Sequence, residues 1–114
     1  MNINNMQKQL SDFADERDWD QFHNPKNLAM ALSVEASELV EIFQWLTPEQ
    51  AEAVMSSSES DHVKEEMADI MIYLIRMADE LNVDLENAVT DKIVKNGKRY
   101  PVSLSKGNAK KITI

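Results

Sequence analysis

Two pairs of acidic residues with three-residue spacing are the part of this sequence best suited to chemistry. Glu35 and Glu38 form the first pair, and Glu66 and Asp69 form the second. Residues three apart on a helix are neighbours, so each pair can direct both carboxylates at one point. Four carboxylates from two packed helices would suit a hard divalent cation, Mg²⁺ or alternatively Mn²⁺, because such ions prefer oxygen ligands.

The acidic pairs lie on helix faces that are otherwise apolar. At about 100° per residue, Leu39 and Ile42 belong to an arc that has Glu35 at its centre and Glu38 at its edge. The second pair interrupts a similar apolar face between residues 62 and 81. A carboxylate on a buried face is costly unless it is paired or binds a metal. This placement favours an inward-facing metal site over a solvated acidic surface.

The spacing of apolar residues predicts an all-α protein, most simply a four-helix-bundle-like fold with one short extra helix. Capping residues and prolines mark the helix starts, and Gly97 is expected just beyond the last helix. The predicted helices cover residues 3–17, 25–45, 48–54, 59–81 and 85–95. We expect one helical domain over residues 1–100, followed by an irregular basic tail over residues 101–114.

A ferritin-like di-iron site is a rival interpretation of the acidic residues. Such a site needs Glu-x-x-His on two helices and a further Glu from two others. Glu59 and His62 supply one such match, but the four inward carboxylates are not followed by histidine. The other histidine, His23, lies in a predicted loop. The match is therefore weak, and His62 is expected at the surface or at a helix start.

The charge distribution is strongly uneven along the chain. Residues 1–91 carry a net charge of −15, whereas residues 92–114 carry +7. A largely acidic surface argues against duplex nucleic acid as a partner, because phosphate contacts dominate that affinity. In the basic segment, Lys92, Asn96 and Arg99 are spaced i, i+4, i+7 and can present donors to phosphate oxygens. The alternative is a solvent-facing helix end whose cations complement the helix dipole.

Composition also bears on the expected location. The sequence has no cysteine, which excludes a disulfide framework and is compatible with a reducing cytoplasm. Its N-terminus does not resemble a signal peptide, and no apolar run approaches the length of a membrane span. We therefore expect a cytoplasmic protein without a membrane partner.

Five segments resemble the MazG-like all-α nucleoside triphosphate pyrophosphohydrolases. The two acidic pairs match the ExxE…ExxD signature of that superfamily. The surrounding sequence is similar to its dCTP pyrophosphatase branch, and these similarities span nearly the whole chain in the same order. The matching segments are residues 16–23, 27–28, 35–45, 69–74 and 96–101.

The resemblance implies Mg²⁺-dependent hydrolysis of a (deoxy)nucleoside triphosphate, such as dCTP or a related dNTP, to its monophosphate and pyrophosphate. It implies a role in cleaning the nucleotide pool and assembly as a homotetramer, a dimer of dimers with sites at subunit interfaces. The fourth predicted helix has a wide apolar arc, which agrees with burial against a partner subunit. The implied metal ligands are Glu35, Glu38, Glu66 and Asp69.

The resemblance also assigns substrate contacts. Lys92, Asn96 and Arg99 would hold the triphosphate, whereas the base would be walled by Trp19, Trp45 and Tyr73. Animal dCTP-specific relatives carry a histidine where this chain has Leu10, so its base selectivity is expected to be broader. Glu38, at the edge of the apolar arc, is our candidate for the general base. The alternative function is a non-catalytic helical interaction protein that retains the fold.

Overall fold

The computed structural model describes residues 1–110, and these residues confirm the all-α prediction. No β-strand occurs among them. The described part of the chain forms two compact units, which meet in sequence between Asn82 and Val83. The helices are α1 (Ile3–Glu16), α2 (Pro25–Phe43), α3 (Pro48–Glu52), α4 (Ser60–Glu80), α5 (Leu85–Arg99) and α6 (Val102–Ser105), with a 3₁₀ turn at Val54–Ser56.

Side-chain caps set the helix starts that the sequence predicts. The Asn24 side chain accepts a hydrogen bond from the Asn27 N–H at 2.9 Å, at the start of α2. At α3 a full capping box forms: Thr47 accepts from the Gln50 N–H at 3.2 Å, and Gln50 accepts from the Thr47 N–H at 3.0 Å. Asp84 caps α5 in the same way. These caps satisfy N–H groups that have no partner within the helix.

The end of α5 differs from the prediction. Gly97 lies inside the helix rather than beyond it, and the Tyr100 N–H still donates to the Asn96 carbonyl at 2.8 Å. The helix ends where Pro101 follows, since proline disfavours helical geometry in the residue before it. The prediction that Gly97 ends the helix was therefore wrong.

The segment predicted as an irregular tail contains one helical turn, α6, at Val102–Ser105. Residues 111–114 of the predicted tail lie outside the described residues. The predicted boundary after residue 100 differs from the division between the two compact units, which falls at Asn82. That domain boundary stays a prediction.

The core of the first unit lies where α2 and α1 pack against α4. Leu28 of α2 and Ile75 of α4 are among its most buried side chains, 1% and 2% exposed. Parts of the predicted apolar arc of α4 face outward in the single chain, and Leu81 is 48% exposed.

Within residues 1–110, no helix is both long and apolar enough to cross a membrane.

Truncating Leu28 tests whether the α2–α4 contact carries the stability of the first unit. We expect Leu28→Ala to lower the free energy of unfolding by about 2–5 kcal/mol, because a fully buried side chain leaves a cavity. On the exposed side of the same helix, Glu41→Ala should change it by less than about 0.5 kcal/mol. Urea denaturation measures both variants, and equal losses would contradict this account of the core.

Candidate functional site

Three of the four predicted carboxylates converge between α2 and α4. Glu35, Glu38 and Glu66 each offer one oxygen, and these three oxygens lie within 4.8 Å of one another. Glu66 is buried, and the other two side chains are half-buried. Glu35 and Glu38 are adjacent along one face of α2, whereas Glu66 projects from α4. The packing of these two helices therefore assembles the group, called here the carboxylate cluster.

Asp69 is not part of the carboxylate cluster. It lies three residues after Glu66 on α4, is half-buried, and lines a neighbouring pocket. Its role as a fourth metal ligand stays a prediction.

The carboxylate cluster is electrostatically strained. The nearby carboxyl group of Glu66, followed by burial and by the neighbouring Glu38, raises the pKa of Glu35 to about 7. The Oε2 atoms of Glu35 and Glu66 are buried without a hydrogen-bond partner. Unpaired buried oxygens are costly, and like charges this close disfavour one another's ionisation. A divalent cation would relieve both penalties, so these residues fit a metal.

His62 borders the carboxylate cluster without belonging to it. Its exposed ring places Nδ1 3.0 Å from Glu59 and Nε2 3.4 Å from Glu66. These acidic neighbours, Glu59 first, raise the pKa of His62. The surface position agrees with the prediction, and the i,i+4 spacing to Glu66 was readable from the sequence. Over residues 1–110, the group able to hold a metal contains no histidine, which disfavours the ferritin-like alternative.

A pocket of about 330 Å³ lies beside the carboxylate cluster and is lined mainly by apolar and aromatic side chains. Trp19 and Tyr73, two of the three predicted base-contacting residues, both line it. Asp69 lines the pocket as well. Burial, followed by the charges of Glu35 and Asp69, raises the pKa of Tyr73. Leu10 makes part of the wall apolar.

Local backbone geometry directs Trp19 to this pocket. Asp18 adopts a left-handed conformation, with φ of 56°, and the Trp19 N–H then donates to the Ala14 carbonyl at 2.9 Å. The indole meets the Phe13 ring edge-on, with 5.7 Å between centroids, and tilts against His23 at 6.0 Å. The connection between α1 and α2 therefore presents an aromatic wall.

Trp45 is not brought to the pocket. It follows α2 and is 86% exposed. Its role in substrate binding stays a prediction.

The sequence interpretation missed two polar residues of the pocket. Arg76 is 3% exposed, and His23, predicted only to lie in a loop, lines the pocket with it. One signal was available, because Asp69, Tyr73 and Arg76 are spaced i, i+4, i+7 and so share one face of α4. No sequence signal indicated that His23 would meet that face.

The predicted phosphate-binding residues lie on α5, in the second compact unit. Lys92 and Asn96 are exposed, and Arg99 is half-buried with its guanidinium 5.5 Å from the centroid of the Tyr100 ring. Their predicted i, i+4, i+7 spacing is kept because α5 continues as far as Arg99. Their contact with phosphate stays a prediction.

Comparison with known proteins supports the resemblance. The model of the MazG-like family matches residues 30–113. The chain is 47% identical to dCTP pyrophosphatase 1 of Bos taurus over 104 residues, which cover 90% of this chain and 62% of that protein. For dCTP pyrophosphatase 1 of Homo sapiens the identity is 43%, with 90% and 61% covered. The chain thus spans less than two thirds of the length of these relatives.

A solved structure shows the same fold. A pyrophosphatase from Archaeoglobus fulgidus superposes with a TM-score of 0.77 at 39% sequence identity, and the match covers 82% of this chain and 87% of that one. The family match spans most of the sequence, and this structural match spans most of both chains. The protein therefore belongs to the MazG-like family.

Proposed function

We propose that this protein is a metal-dependent nucleoside triphosphate pyrophosphohydrolase. It would convert a (deoxy)nucleoside triphosphate, dCTP or a related dNTP, to the monophosphate and pyrophosphate as a means of cleaning the nucleotide pool. The observation that carries the proposal is the carboxylate cluster, with two unpartnered buried oxygens, beside an aromatic pocket. The similarity to proteins named pyrophosphatases supports the reaction class.

Glu35, Glu38 and Glu66 would hold the cation, with Asp69 as a fourth ligand. Carboxylate oxygens suit Mg²⁺, and Mn²⁺ as a substitute. The bound metal would supply charge neutralisation of the triphosphate and a lower pKa for its water.

Within this proposal, Glu38 is the general base. It would take the proton from the water that attacks the α-phosphorus, since a carboxylate not fully committed to metal can accept a proton. Its half-buried position on α2 leaves it open to solvent on one side.

The pocket would hold the base. Trp19 and Tyr73 offer aromatic faces, and stacking on such faces tolerates different bases. Leu10 contributes an apolar wall, so we expect selectivity beyond cytosine. Trp45 would complete the base site, and the triphosphate would be held from α5 by Lys92, Asn96 and Arg99.

We also propose assembly as a homotetramer, a dimer of dimers. Several apolar side chains of α2 and α4 are more than half exposed in the single chain, including Met30 at 59%, Val34 at 56% and Met67 at 58%. Apolar surface of this kind is typical of protein interfaces. Location in the cytoplasm is part of the proposal, and the absence of cysteine suits that compartment.

Pyrophosphate release from a panel of canonical and modified dNTPs and NTPs tests the proposal directly. With Mg²⁺ we expect release from at least one deoxynucleotide, and none with a chelator, because the carboxylate cluster would need its cation. The ranking of substrates reports base and sugar preference. No release with any metal would overturn the proposal and favour the non-catalytic interaction protein.

Replacing Glu38 separates catalysis from folding. We expect Glu38→Gln to lower kcat by about 10²-fold or more, since loss of a general base typically costs 10²–10⁴-fold. Glu41→Gln is the matched control, because Glu41 is exposed on the same helix one turn later. Turnover is measured beside the helical circular dichroism signal. Full activity in Glu38→Gln would refute the assignment.

Metal affinity should rise with pH through the pKa of Glu35, which is about 7. Below that pH a proton occupies Glu35 and must leave before the carboxylate can bind a cation, so affinity increases toward about pH 8 and then levels off. Mn²⁺ titration calorimetry at pH 6, 7 and 8 measures this. In Glu35→Gln binding should be weaker and its rise with pH smaller, because only His62 beside Glu66 still loses a charge as pH increases. A flat profile in the unmodified chain would contradict the raised pKa of Glu35.

A further inference from the structure

Arg76 is a buried cation with four partners. Its guanidinium donates to Asp79 at 3.3 Å and to Glu80 at 3.2 Å, both on its own helix α4. It also donates to Asp20 Oδ1 at 3.3 Å and, through Nε–H, to His23 Nδ1 at 3.4 Å. Asp20 and His23 both lie in the connection between α1 and α2.

Two of these partners would be enough to compensate the charge. Asp79 and Glu80 follow Arg76 at i+3 and i+4, where helix geometry alone brings side chains together. The bonds to Asp20 and His23 instead join residues 56 and 53 positions apart. Arg76 therefore does more than satisfy a buried charge, because it ties the connection at residues 17–24 to α4.

That connection carries Trp19. Its backbone turns at Asp18 in a conformation that is unusual for a residue other than glycine. The His23 N–H donates to the Trp19 carbonyl at 3.1 Å, and the two rings lie 6.0 Å apart. Because of this backbone hydrogen bond and ring contact, a displacement of His23 would also displace Trp19.

The protonation of His23 agrees with its hydrogen bond from Arg76. Burial, followed by the nearby Arg76 charge, lowers the pKa of His23. The neutral ring can then accept the Arg76 Nε–H at Nδ1 and carry its own proton on Nε2. The pocket is lined by His23, Trp19 and Arg76 together.

We propose that Arg76 is a positioning residue that holds the connection at residues 17–24 against α4 and thereby places Trp19 and His23 at the pocket wall. The positioning of the connection by Arg76 is a property of the folded chain and does not depend on the proposed function. The consequence for substrate binding rests on the proposed function, in which this pocket takes the base.

A matched pair of substitutions separates positioning from simple charge compensation. Asp20→Asn and Asp79→Asn each change a carboxylate that lies 3.3 Å from the same guanidinium, but only Asp20 belongs to the connection. Arg76→Met removes all four bonds. In the Arg76→Met variant, water can replace the guanidinium as the partner of the three carboxylates, because the side chains of Asp20, Asp79 and Glu80 are 52%, 37% and 35% exposed.

Trp19 fluorescence gives a readout that does not depend on catalysis. In a Trp45→Phe background, Trp19 is the sole tryptophan. Arg76→Met and Asp20→Asn should shift its emission to the red and increase its quenching by acrylamide, because the indole loses its fixed contact with the pocket. Asp79→Asn should leave emission and quenching unchanged. Circular dichroism confirms that each variant is folded, and if Arg76→Met is not, the Asp20/Asp79 pair decides.

Steady-state kinetics, measured on variants that keep both tryptophans, test whether loss of this positioning weakens substrate binding. We expect Asp20→Asn to raise KM by about tenfold with kcat changed by less than about threefold, as for lost substrate binding. Asp79→Asn should retain both constants.

Equal emission shifts in the two Asp→Asn variants, or no shift in folded Arg76→Met, would overturn the positioning role. Loss of kcat without a change in KM in Asp20→Asn would overturn the link to substrate binding. If the unmodified chain releases no pyrophosphate, the proposed function fails, and the emission data still decide the positioning role.

Discussion

The site depends on one costly interaction, the burial of carboxylates where α2 packs against α4. The same contact that removes Leu28 and Ile75 from water also brings Glu35, Glu38 and Glu66 together. Apolar burial stabilises this arrangement, whereas mutual repulsion and lost hydration oppose it. The raised pKa of Glu35 is the measurable sign of that opposition.

Helix α4 carries two buried charged residues, Arg76 and Glu66, and they differ in how fully the protein supplies partners for their polar atoms. Arg76 has four partners supplied by the protein, so its charge is compensated in the folded chain alone. Glu66, ten residues earlier, keeps a buried oxygen without a partner. The contrast distinguishes a satisfied ion network from the proposed metal site, because only the second leaves buried polar atoms without a partner.

Helix positions were largely predictable because their signals are local. Caps such as Asn24, Thr47 and Asp84 act on N–H groups two or three residues away, and the structure shows them where the sequence places them. The error at Gly97 has a local cause as well. Glycine permits a helix to end but does not force it, whereas Pro101 limits the residue before it.

The sequence by itself determined the helical class and placed both acidic pairs on otherwise apolar helix faces, since periodicity and spacing are properties of the chain order. Its motifs also carried the resemblance to the family. Only the tertiary structure decided that three carboxylates rather than four form the close group, and that Trp45 is exposed while Trp19 lines the pocket. It also decided that Arg76 meets His23 across 53 residues. Such contacts depend on how helices are docked, and docking is set by the summed packing of many side chains rather than by any local pattern.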